Sequence, residues 1–451
     1  MQTIDKRQGL MLCAVGILIL VMITVFVRLM TAKVLVNRIH MDNIVTQTIL
    51  YGNVNLQGSE QQKATANNIV WARAYPFSDI DAGNKMRSLP IKKIESKAVN
   101  LEKKVGEWTG KNLLGYYKLA EAGREYEVGI GWKLISPVQE IAPLGDGVWS
   151  FVYPKADIRD KVLSLTDLAQ AVEANGAKFL YVQAPFKVDP YGDFAINGRF
   201  DFTNENCDAL LTQLAANGVD TLDLRENLHQ WAYAEHVSYH DFFFRTDHHW
   251  KPETALRAAK IVGERLRDYN ISVDTVHYNL EDYNVEILPA YFLGSEGKRA
   301  TLAKVQADDF SILHPKFPTE IKVNIPEKNI DSTGDFELLY DKNCVKKRDL
   351  YNLNPYSMYG HGDMAILNMK NLLLPATDKK VLLIRDSYCD TMAPFLALGV
   401  RNLLTVDLRH FTGSVRAYIS EQKPDVVIVM YTGSIHEAIN WTSHKDKFDF
   451  R

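Results

Sequence analysis

"KKVLLIRDS" (379–387) holds four consecutive apolar residues, Val381 to Ile384, and stops on Arg385, Asp386 and Ser387. Apolar and polar positions do not alternate in it, so a strand here is covered on both faces. Two runs of the same kind follow, in "VRNLLTVDL" (400–408) and "KPDVVIVMYTG" (423–433). Helical stretches such as "CDTMAPFLAL" (389–398) separate them. Steady alternation of strand and helix predicts a parallel, doubly wound α/β sheet.

The same unit occurs earlier in the chain. "ADIRDKVLSLTDLAQAVEANGAKFLYVQAP" (156–185) reads as a helix, the stop signal Asn175-Gly176 and a strand over Lys178–Gln183. "NENCDALLTQLAANGVDTLDL" (204–224) repeats it, with Asn217-Gly218 as the stop and 219–224 as the strand. "PLGDGVWSFVYP" (143–154) reads as a turn followed by a strand, and 91–119 as an amphipathic helix. Between residues 271 and 378 the rhythm breaks into short strand candidates rich in aromatics and turn residues. This segment is expected to be a β-rich insertion that caps and interrupts the sheet domain.

Lys6 and Arg7 precede an uncharged, mostly apolar run from Gly9 to Val27. At 1.5 Å per residue it spans about 28 Å, the thickness of a bilayer core. Residues 1–30 are therefore expected to form an uncleaved transmembrane anchor, 31–75 a polar stalk, and 76–451 the interrupted sheet domain. Basic residues flank both ends of the run, so charge alone does not orient it. A formal charge of −3 gives no reason to expect nucleic acid as a partner. Aromatics at 10% can fill a core, which argues against disorder. Cys13 lies in the apolar run; Cys207, Cys344 and Cys389 remain, without CxxC spacing, and one bridge among them is left open.

Ligands of open α/β sheets sit beyond the carboxyl ends of the strands. Ser387 falls in such a place, between a strand and a helix, as either a nucleophile or only an N-cap. "FFFRTDHHW" (242–250) bears on the choice. Pro252 suits the first position of the helix "PETALRAAKIVGERL", so Asp247 and His249 lie in the loop before it. A serine nucleophile needs a base, and the base needs a carboxylate to fix its tautomer; Asp-x-His supplies both. Two other readings stand beside this one. His236, His240, Asp247, His248 and His249 could hold a metal, although no zinc-type spacing is present. Asp247 could also simply cap the helix.

"TDHHW" (246–250), "LLIRDSY" (382–388) and "LYVQAPFKVDPYG" (180–192), with "DGVWSF" (146–151) and "FLGSEGKR" (292–299), resemble the DHHW proteins. These are SGNH-hydrolase-like and related to alginate O-acetylation proteins and polysaccharide O-acetyltransferases. The resemblance spans roughly residues 90–440. It implies a three-layer α/β/α sandwich, tethered to the membrane and facing the cell exterior. It makes Ser387 the nucleophile, His249 the general base and acid, and Asp247 its orienting carboxylate, with His248 outside the triad. The family often has glycine where this chain has Arg385; the backbone N–H of Ser387 is the one oxyanion donor expected. Lys187, Tyr431 and Arg385 are expected to contact substrate.

The implied activity is O-acyl transfer, acetyl in the first instance, to a surface polysaccharide, with no cofactor and no metal. A membrane-bound O-acyltransferase would supply the acyl group. The same triad would serve a carbohydrate esterase, and an inactive glycan-binding or assembly protein is the further alternative. The triad reading requires an imidazole nitrogen of His249 within about 4 Å of Ser387 Oγ.

Overall fold

The computed structural model describes residues 118, 121–122, 141–153, 155–192, 195–196, 199–433 and 447–451. The expected anchor (1–30), the stalk (31–75) and nearly all of the amphipathic helix (91–119) lie outside the described residues. Among the described residues no helix is long and apolar enough to cross a membrane.

The chain opens with a hairpin, β1 (Ile141–Gly145) and β2 (Val148–Phe151), where a turn and one strand were expected. Asp146 and Gly147 both take positive φ, 50° and 77°, as a two-residue hairpin turn requires. Then come α1 (Arg159–Ala174), β3 (Lys178–Gln183), a small hairpin of β4 (Ala195–Ile196) and β5 (Arg199–Phe200), and α2 (Thr203–Ala216). β6 (Thr221–Asp223), α3 (Leu224–Glu235) and α4 (Pro252–Arg267) follow. The stop signals act as expected: Gly176 and Gly218, just past α1 and α2, sit at φ 83° and 74°.

The next segment contains β7 (Tyr283–Phe292), α5 (Ser295–Ala300), β8 (Asp308–Pro315), β9 (Ile321–Ile325), β10 (Ile330–Gly334) and β11 (Ile366–Asn371). The chain returns through β12 (Val381–Arg385), α6 (Tyr388–Gly399), β13 (Asn402–Asp407), α7 (Val415–Gln422) and β14 (Val426–Tyr431).

Eight strands form one sheet, in the order β10-β9-β11-β13-β12-β14-β3-β6. From β13 to β6 every neighbour is parallel. β11, β9 and β10 continue the sheet antiparallel beyond β13. The wholly parallel sheet expected from sequence is therefore corrected to a mixed one. Three strands of the expected cap are sheet strands, and only β7 and β8 pair apart from it.

Helices cover both faces, which makes three layers. One face presents Leu180, Val182, Val381, Leu383, Val426 and Ile428 to α3, α4 and α6. The other presents Phe179, Tyr181, Leu382, Ile384, Val427 and Val429 to α1, α2 and α7. Successive residues of β12 thus enter opposite cores, which is why "VLLI" contains no polar position. A third cluster joins the β1–β2 hairpin to Phe186, Leu293 and Val305, beneath the loops at the carboxyl edge.

Candidate active site

β12 ends at Arg385, and Asp386 shapes the turn that follows. One of its carboxylate oxygens accepts the Tyr388 N–H at 3.1 Å and the other the Thr432 N–H at 3.0 Å. Asp386 thereby ties the turn to the end of β14. Ser387 takes the N-cap position of α6 but makes no side-chain capping bond. The amides of Tyr388, Cys389 and Asp390 are taken by Asp386 and the Ser387 carbonyl, and no described residue accepts the Ser387 N–H. The half-buried hydroxyl turns instead to the imidazole of His249, with Oγ 2.8 Å from Nε2. That is well inside the 4 Å required.

His249 lies in a tight loop closed by an antiparallel bridge between Phe243 and Trp250. Asp247 Oδ1 accepts from the His249 N–H at 3.1 Å and lies 2.5 Å from its Nδ1. The other oxygen, Oδ2, accepts the Ser295 N–H at 2.7 Å. Burial opposes ionisation of Asp247, but His248, His249 and these bonds hold its carboxyl well below the usual carboxylate range. A charged Asp247 fixes the proton of His249 on Nδ1, so Nε2 offers its lone pair to Ser387.

Residues distant in sequence hold this loop. The Thr246 N–H and hydroxyl donate to Asp308 Oδ2 at 2.8 and 2.6 Å, and the Arg245 N–H donates to Oδ1 at 2.9 Å. The Gly294 N–H donates to Thr246 Oγ1 at 3.0 Å, and a Cβ on Gly294 would collide with the side chain of Asp247. Tyr356 stacks on the His249 ring, with centroids 4.0 Å apart and planes within 19°. The carbonyl of Tyr388 accepts from Trp250 Nε1 at 3.0 Å and from the Tyr356 hydroxyl at 3.1 Å. In return, the Tyr388 hydroxyl donates to the His248 carbonyl. Burial pushes both phenols well up, so they remain O–H donors.

Sequence reading missed most of this support. "FLGSEGKR" carried a signal without a role, and the tryptophan and tyrosine of the two motifs prove to fasten the motifs to each other. Asp308 and Tyr356 gave no local signal, because only the folded chain brings them to the loop.

The three expected substrate contacts are corrected. Lys187 is fully buried; its ammonium donates to the Trp149 carbonyl at 2.5 Å and lies 3.6 Å from Glu296 Oε1. Arg385 is fully buried and bonds Asp390 and the carbonyls of Gly362 and Met364, so it supports the sheet edge from within. Tyr431 is fully buried, with its hydroxyl on the Lys447 carbonyl at 2.7 Å. Each polar tip is occupied by protein. Of the five residues considered for a metal, only Asp247, His248 and His249 gather, with ligand atoms within 4.8 Å of one another. His236 stands exposed at the end of α3. Cys207, Cys344 and Cys389 are free thiols. A cavity of about 460 Å³, lined by Glu327, Asp363, Ile366, His410 and Phe411 among others, opens near the ends of β11 and β13 and does not include Ser387.

With this geometry in view, residues 149–287 match the family model of the SGNH hydrolase-like domain of acetyltransferase AlgX. The match contains Asp247 and His249 and ends before Ser387. Among curated proteins no sequence matches at a significant level. Among solved structures, Bacillus cereus PatB1 with a sulfonyl adduct is similar at 17% identity, covering 69% of this chain and 99% of that one, with a TM-score of 0.55. A DHHW family protein from Eubacterium siraeum is similar at 17% identity over 67% of this chain and 93% of that one, TM-score 0.48. The O-acetyltransferase domain of Pseudomonas putida AlgJ shares 12% identity over 69% of this chain and 97% of that one, TM-score 0.42. The family resemblance holds over residues 149–287, which contain the DHHW stretch: this part of the chain is similar to the SGNH hydrolase-like domain of acetyltransferase AlgX.

Proposed function

We propose that this protein is an O-acyltransferase, acetyl in the first instance, acting on a surface polysaccharide through Ser387, His249 and Asp247. The observation that carries the reading is His249, bonded at once to Asp247 through Nδ1 and to Ser387 through Nε2. His249 Nε2 takes the hydroxyl proton as Ser387 Oγ attacks the acyl carbonyl, and returns it to the leaving group. The Ser387 N–H, free of protein acceptors among the described residues, faces the developing oxyanion. A sugar hydroxyl then gives its proton to His249 and attacks the acyl-serine; a new ester forms and Ser387 regains its proton. Water in place of sugar would make the same site an esterase.

The apolar run Gly9–Val27 supports a single-pass anchor. We place the enzyme outside the cytoplasm, where a membrane-bound O-acyltransferase would relay acyl groups, because acetyl-CoA is a cytoplasmic donor. Protease added to intact cells should then digest the sheet domain; full protection would sink the outward orientation.

The full-length chain should hydrolyse p-nitrophenyl acetate with a transient acetyl-enzyme visible by intact mass. Ser387→Ala and His249→Ala should each remove both signals while leaving the circular dichroism spectrum intact. A metal reading keeps one supporting fact, the closeness of Asp247, His248 and His249. Turnover that survives Ser387→Ala and disappears with EDTA would select it and overturn the triad.

A further inference from the structure

The residue between Asp247 and His249 has a hydrogen-bonding chain of its own. His248 Nδ1 lies 2.9 Å from Ser295 Oγ, and that hydroxyl donates to Glu296 Oε2, also at 2.9 Å. Glu296 is fully buried, and its other oxygen has no hydrogen-bond partner and faces the Lys187 ammonium at 3.6 Å. A buried ion pair one residue behind a loop is costly to build unless it fixes something.

What it fixes is a proton. Burial raises the pKa of the Glu296 carboxyl, but the Lys187 ammonium at 3.6 Å opposes that and favours the carboxylate, the stronger acceptor for the one hydroxyl hydrogen of Ser295. Ser295 Oγ must then accept from His248, which puts the imidazole proton on Nδ1 and a lone pair on Nε2. Burial and the nearby His249 hold His248 well below the ordinary histidine range, so the ring stays neutral. Nε2 has no hydrogen-bond partner among the described residues. The side chain of His248 is 23% exposed, against 7% for His249 and 6% for Asp247, so within Asp247-His248-His249 it is the side chain that solvent reaches. The two rings lie side by side, with centroids 3.9 Å apart.

We propose that His248 is an acceptor-binding residue: its Nε2 accepts a hydrogen bond from the hydroxyl next to the one that attacks, which selects acceptors carrying two neighbouring hydroxyl groups. The attacking hydroxyl gives its proton to His249, so His248 exchanges none. Ser295 and Glu296 are positioning residues that set the His248 tautomer. This inference rests on the acyl-serine reading above.

The test uses the full-length chain, with p-nitrophenyl acetate as donor and ethane-1,2-diol or ethanol as acceptor. In the wild type, transfer to the diol should exceed transfer to ethanol by about tenfold at equal concentration, as expected for one added hydrogen bond. In His248→Asn, which keeps a partner for Ser295 but nothing at the Nε2 position, the preference should fall to about the twofold advantage of carrying two hydroxyls. His248→Gln, which restores an acceptor there, should regain part of it. Nitrogen NMR of the histidine-labelled chain should show His248 protonated on Nδ1, and Glu296→Gln should disturb that tautomer. A wild-type preference no greater than the statistical one, an undiminished preference in His248→Asn, or a proton on Nε2 would each overturn the proposal. Failure to form any acetyl-enzyme would instead sink the Ser387 reading.

Discussion

The two halves of the main sheet are built on different rules. In the parallel half, β12 and β14 are buried at every position. In the antiparallel half, β9 alternates between buried Ile321, Val323 and Ile325 and the more exposed Lys322 and Asn324, while β10 is largely exposed. Helices cover the first half on both faces; the second packs its apolar side on one core. Ser387 follows a parallel strand, and His249 stands at the N-terminus of a helix packed on that half. The lesson is one of placement: a strand fixed from both sides can hold the Ser387 turn still, whereas a strand with a solvent face adds width and stability.

The sharpest way to break this contrast is to move the chemistry off the parallel edge. Ser387→Ala or His249→Ala should lower p-nitrophenyl acetate turnover by about 10³-fold or more, whereas Lys322→Ala, on the antiparallel strand β9, should leave it within about twofold. Equal losses would erase the distinction. Gly294→Ala comes next: the added Cβ pushes on Asp247, and a displacement of about 1 Å at the carboxylate costs on the order of 10²-fold in kcat. Urea denaturation then compares the halves directly. Leu383→Ala should cost about 2–5 kcal/mol, while Lys322→Ala on the open face of β9 should stay within about 0.5 kcal/mol.

The smallest effect is one of pH. Burial and His249 hold the folded-state pKa of His248 below its ordinary 6.5. Below pH 6.5 the unfolded chain therefore binds the proton more readily than the folded one, and stability falls with acidification until the folded pKa is reached. His248→Asn should flatten the melting-temperature curve below about pH 6.5; an unchanged slope would remove His248 as the cause.

The same contrast explains what could be read in advance. "VLLIR" and "VVIVMY" announced themselves because a strand covered on both sides has no polar positions to confuse its outline. β9 to β11 read as a cap in the sequence because alternation says that one face is buried without saying against what. The meeting of Ser387, His249 and Asp247 was legible because each lies in a short motif, and their side chains are joined by hydrogen bonds in the fold. Lys187, Arg385 and Tyr431 were misread because position at a strand end does not reveal which way a side chain turns. All three point into protein. Asp308 and Tyr356 stayed hidden because they act across 62 and 32 residues on their partners Thr246 and Tyr388.

The mutual fastening of Trp250 and Tyr388 has a temporal meaning. The hydroxyl and the imidazole come from chain positions 138 residues apart, and neither is reactive alone. An unfolded or partly folded molecule thus carries an ordinary serine. On the proposed acyl-serine mechanism, reactivity would switch on only when the late sheet strands close against the earlier loop, and the chain would stay chemically silent until its architecture is complete.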